Sequence, residues 1–200
     1  MPINEITDFM NSDNCLCQVE MQLAIHCAPL LQGIKLSNLV KLTQAQSEEL
    51  CRHIRQSGLS VWFLSYEQDG NQVLLFRRDQ MQAFLNKSRI QKVLRRFGYH
   101  DYSLASVMTR LSSHMKDYKD GRQEFPHELG ILLGYPICDV LAYMENHGEN
   151  YKCCGYWKVY HDPSSALRRF AAFNEARDTA VTNVLRGCGY FHQMQACSSF

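Results

Sequence analysis

The chain has 200 residues, 46% of them hydrophobic and 20% charged, a composition that argues against a disordered or membrane-embedded protein and suits one globular domain. Its 21 lysines and arginines almost cancel 20 acidic residues, so no global field draws the chain to nucleic acid or anionic lipid. No run of about 18 apolar residues occurs, and membrane partners are not expected.

Residues Ile3 to Met10 read as a short, weakly anchored helix. The start, MPINEITDFMNSDNC, has early acidic residues and lacks a basic segment leading into an apolar one, so a cytoplasmic location is expected. The nine cysteines, odd in number and partly set in apolar patterns, are then read as reduced thiols. Leu16, Val19, Leu23 and Cys27 recur at helical spacing, and Pro29 is expected to end that helix. Lys35 to Leu42 suits a strand. Thr43 and Gln46 have the spacing of a capping box, and the helix they open should stop at Gly58.

LSVWFLSY and NQVLLFRR flank Gln68-Asp69-Gly70, a hairpin signal. A short helix over Asp79 to Asn86 precedes one over Ser88 to Phe97, which carries Ile90, Val93, Leu94 and Phe97 on one face. Its other face holds Arg89, Lys92, Arg95 and Arg96, a solvated surface or a weak RNA contact. Leu104 to Met115 forms another amphipathic helix, with Lys116 to Gln123 as a polar linker. Pro126-His127-Glu128 opens a helix, with Glu128 placed as a first-turn acid. Gly134-Tyr135-Pro136 turns the chain into a second helix that Gly148 should stop. Gly155 to Tyr160 reads as a strand with Trp157 and Val159 on one face and Tyr156, Lys158 and Tyr160 on the other. Asp162-Pro163 starts a last helix reaching about Arg186.

The fold class expected is α+β, a small mainly antiparallel sheet of about four strands packed against several helices. It should form a single domain over 1–200, with an ordered core at about 15–186 and loosely held ends at 1–14 and 187–200.

Nucleotide-binding glycine loops are missing, and HELGI lacks the second histidine of a zinc protease because Ile131 stands there. No CxxC occurs, so a structural zinc knuckle has little support. A metal or metal-containing cofactor on His26, Cys27, His127, Cys153 or Cys154 stays open on residue type. Lys158 between two tyrosines is either a surface lysine or the cationic floor of a pocket, for which Lys35, His127, Tyr156, Lys158 and Tyr160 are the ligand-binding candidates. A thiol-dependent enzyme can also be drawn, with Cys27 or Cys154 as nucleophile, His127 as base and Glu128 as acid.

HCAPLLQGIK (His26 to Lys35), EFPHELGILLGYP (Glu124 to Pro136) and GYWKVY (Gly155 to Tyr160) together resemble an uncharacterised bacterial family defined only as a domain of unknown function. That family commonly has Thr after Cys-Ala-Pro, where this chain has Leu30. The resemblance implies a bacterial cytosolic setting and supplies no activity or site residue. The leading expectation is a protein that binds a small anionic ligand, metal or cofactor in a Cys/His/Lys-lined pocket. The alternatives are the thiol enzyme and a protein or RNA interaction module without a catalytic site.

Overall fold

The computed structural model describes residues 3–191 and is α+β, with two antiparallel sheets among helices. The backbone falls into two compact units: residues 3–77 joined by 173–191, and residues 78–172.

The first unit opens with α1 (Ile3–Met10) and α2 (Cys15–Leu31). Helix α2 runs through Pro29 instead of ending before it, which corrects the sequence expectation. Its stop comes at Gly33, whose φ of 77° is the left-handed conformation glycine adopts without a Cβ clash. There the N–H groups of Gly33 and Ile34 close on the carbonyls of Leu30 and Pro29, a Schellman end. The Arg77 guanidinium donates to the Leu30 and Leu31 carbonyls and satisfies the last turn further. Residues 28–30 are buried, so continuing the helix puts more apolar surface into the core than stopping it would.

Strand β1 (Ser37–Leu42) leads into α3 (Gln44–His53), where both halves of the Thr43–Gln46 capping box form. Strands β2 (Ser60–Ser65) and β3 (Asn71–Phe76) make the expected hairpin, with an irregularity between Phe63 and Ser65. Sheet order is β1-β3-β2, so β3 is central, pairing Val40 with Val73 on one side and Phe63 with Val73 on the other. Helix α2 packs on β1 and α3, and its Val19, Leu23, Cys27 and Leu30 share one core with Val40, Leu50, Val73 and Leu75.

In the second unit α4 (Arg78–Leu85), α5 (Ser88–Arg96) and α6 (Leu104–Lys119) come first. Ile90 and Leu94 are buried while Arg89, Lys92, Arg95 and Arg96 face solvent. Helix α6 extends into the expected linker and ends at Gly121, where Arg122 N–H closes on the Asp117 carbonyl. Helices α7 (Glu128–Leu132) and α8 (Ile137–Glu145) form the expected helical hairpin. His147, at φ 49°, takes the left-handed position that ends α8, one residue before the expected Gly148.

The strand expected over Gly155 to Tyr160 is shorter. Cys153–Cys154 (β4) pairs with Lys158–Val159 (β5), and Gly155 to Trp157 turn between them. Gly155 is needed there, since a Cβ would lie 2.4 Å from the Phe170 ring. Helix α9 (Pro163–Leu185) begins in this unit and finishes in the first.

In the first unit Val181 and Val184 of α9 pack on Met21 and Ala24 of α2. Ordered packing continues past Arg186, where the sequence reading ended it. Phe191 lies in the core, its N–H donating to the buried Glu20 carboxylate, and Tyr190 Oη donates to the Ser57 carbonyl. The rest of that expected loose tail, 192–200, lies outside the described residues.

Candidate functional site

Three of the sequence-predicted residues, His26, Cys27 and Lys35, belong to the first unit. His26 is exposed on α2, and its carbonyl accepts from the Asn38 side chain at 2.7 Å. Cys27 is fully buried, and that burial pushes its thiol up to about 12, against the opposing charge of Lys35. With no surface exposed and apolar neighbours around it, Cys27 packs as a small apolar core residue. Lys35 is itself buried just past the end of α2.

The remaining predicted residues lie in the second unit, in three separate places. Glu128 sits in the first turn of α7 as expected, but inward, at 1% exposure. Its Oε1 accepts from His114 Nδ1 at 2.6 Å and from the Tyr99 hydroxyl at 3.2 Å. Tyr99 is buried too, and burial next to that carboxylate raises its phenol well above the usual range. This Tyr-Glu-His cluster is closed and mutually satisfied, which suits holding α6 against the start of α7.

His127 does not join it. Its ring lies 5.6 Å from Phe125 and 5.4 Å from Tyr143, and Phe125 in turn meets Tyr118 edge-on at 5.3 Å. Burial lowers the His127 pKa, outweighing Glu128 and Glu124, and so favours the neutral imidazole. Tyr143 also receives Lys158, whose Nζ stands 5.8 Å from that ring and 4.7 Å from the Tyr151 ring. The same Nζ donates to the Gly148 carbonyl at 2.7 Å. Gly148 lies in a turn where residues 147, 148 and 150 all have positive φ, two of them not glycine. Backbone held in that region concentrates at ligand clamps and switch segments.

Tyr160 follows Lys158 by two residues. It is 8% exposed, and its hydroxyl has no hydrogen-bond partner among the described residues. Burial raises its phenol, as do Tyr143, Glu149, Asp139 and Tyr151, so the hydroxyl stays a protonated donor. Tyr118, Phe125, Tyr143 and Tyr151 meanwhile keep ring surface open to solvent. His127 and Lys158 thus meet on Tyr143, which the sequence reading did not single out.

Tyr156 lies elsewhere, against Phe170, while Cys153 is half-buried and Cys154 exposed in β4. Trp157 is core, as expected, stacked on Tyr135 and edge-on to Phe170 at 4.5 Å. Its indole N–H donates to Asp139, a second residue that sequence reasoning missed. The buried Asp139 carboxylate also accepts from the backbone N–H groups of Tyr160 and His161 and from His161 Nδ1. Burial alone would raise its pKa, but these hydrogen bonds prevail and hold it below the usual carboxylate range. Asp139 thereby fixes where β5 ends. Its place in the first turn of α8 was the one visible signal.

A family model described as "Protein of unknown function (DUF3793)" matches residues 23–193, which include all three sequence motifs. No curated protein and no solved structure matches significantly. The chain belongs to that family.

Proposed function

We propose that the second unit is a binding module for a small ligand that carries a carboxylate or phosphate group on an apolar body. The observation that carries this reading is the buried Tyr160 hydroxyl without a partner among the described residues, two positions from Lys158. An unpaired buried hydroxyl costs about 1–3 kcal/mol, and in a native protein it calls for an explanation. An acceptor oxygen delivered by a ligand provides one.

Lys158 supports the same reading. Its ammonium has three donors and spends one on Gly148, while the Tyr143 and Tyr151 rings flank it. An anion there would meet a positive charge already held in place, so little side-chain entropy is lost on binding. The exposed ring surfaces of Tyr143, Tyr151 and Phe125 suit the apolar part of such a ligand.

Titration calorimetry of the full chain with benzoate and with inorganic phosphate tests this, with Lys158→Met beside the wild type. Saturable binding of at least one probe to the wild type, weakened about tenfold or more in Lys158→Met, is the expected result. A wild type that binds neither probe, or a variant that binds as well, would remove the reading.

A further inference from the structure

A different part of the second unit gathers a thiol, a carboxylate and an imidazole. Cys138 and Asp139 are consecutive in the first turn of α8, and His161 follows β5, the strand on which α8 packs. One ligand atom from each lies within 4.8 Å of the other two. We propose that these three residues bind a divalent cation of the zinc class.

The donor set selects the class of metal. Thiolate and imidazole favour zinc, cobalt and copper over magnesium or calcium, which take oxygen ligands. In a tetrahedral zinc site, bonds of about 2.0–2.3 Å put ligand atoms about 3.3–3.6 Å apart. His161 Nδ1 already stands 3.1 Å from Asp139 Oδ1, so the closing movement, no more than about 1.5 Å, falls mainly to the Cys138 thiol. The exposed side chains can supply that movement, Cys138 at the surface and His161 with 53% of its side chain accessible. Asp139 is the fixed member, since the Trp157 indole and the Tyr160 and His161 amides hold its carboxylate. A rigid buried ligand flanked by two exposed ones leaves an open approach for a hydrated ion. Three protein ligands also leave a fourth coordination position for water or another small donor.

The test uses metal-free full-length protein and Co(II) as a spectroscopic stand-in for zinc. Asp139 is left alone because the local fold depends on it. The expected result is one Co(II) per chain with a thiolate-to-cobalt charge-transfer band. Cys138→Ser should abolish the band, and His161→Gln should weaken affinity by about tenfold or more. A Cys153→Ser/Cys154→Ser protein should keep the band, which separates this site from other thiols. Zinc should also slow alkylation of Cys138, read by mass spectrometry, by a similar factor. No Co(II) binding by folded wild type, a band that survives Cys138→Ser, or Cys138 alkylation that zinc leaves unchanged would each overturn the proposal. None of these readouts involves Lys158 or Tyr160, so the metal site and the anion site can fail independently.

Discussion

Cys27 in the first unit and Asp139 in the second are both buried inside their units, and they are held in opposite ways. Cys27 is surrounded by apolar side chains such as Val19, Leu23 and Leu30, and burial keeps its thiol protonated. Asp139 keeps its charge because indole, imidazole and two backbone amides converge on it. The first position asks only for a small hydrophobic volume. The second asks for one particular carboxylate, and several elements depend on it. A residue type associated with chemistry therefore says little until its partners are known. The difference can be measured directly.

The largest effect should come from Asp139→Ala. It leaves two backbone N–H groups and the Trp157 indole without an acceptor, a loss of about 3–5 kcal/mol in urea unfolding of the full chain. A loss under about 1 kcal/mol would mean that these donors find other acceptors and that the contrast with Cys27 is illusory. The pH dependence has a definite sign. The folded-state pKa of Asp139 is lowered from 3.8, so its contribution is complete above that value and disappears as pH falls through the lower folded value. Stability of the wild type should drop more steeply than that of Asp139→Asn in this acid range.

Cys27 should respond differently. Cys27→Ser puts a hydroxyl in an apolar core and should cost about 1–3 kcal/mol, with no change in ligand binding. In the native wild type Cys27 should alkylate far more slowly than the exposed Cys154, and at a rate set by unfolding. Fast native-state alkylation of Cys27 would favour the thiol-enzyme alternative with Cys27 as nucleophile.

Local features of the chain were readable from sequence because their causes are local. Thr43 and Gln46 are three residues apart and cap the same turn, and Asp69-Gly70 fixes a hairpin between two branched, aromatic runs. Alternation put Trp157 and Val159 on one face and both are buried, although Trp157 lies in the turn and Tyr160, assigned to the other face, is buried as well. Pro29 misled because its restriction on the preceding residue was weighed without the apolar burial and the Gly33 closure that accompany the continued helix. The closed Glu128 cluster was out of reach, since Tyr99 and His114 lie 29 and 14 residues from Glu128 and only the packing of α6 and α7 brings them there. Tyr143 was invisible for the same reason. His127 and Lys158 were both suspected, but nothing in their spacing says that one tyrosine ring touches both.

The smallest effect is the most informative about the proposed ligand site, because its sign alone decides. Tyr160→Phe removes a hydroxyl that has no partner among the described residues and keeps the ring that packs. In ligand-free protein the substitution should leave stability unchanged or raise it by about 1 kcal/mol, since a buried donor no longer has to be desolvated unpaired. Saturating ligand should then reverse the order, stabilising the wild type in proportion to occupancy and the phenylalanine variant far less. Thermal unfolding of both proteins with and without benzoate or phosphate gives the four values required. If the ligand-free variant instead loses more than about 1 kcal/mol, the hydroxyl already has a partner in the folded protein, and Tyr160 is structural in the way Asp139 is.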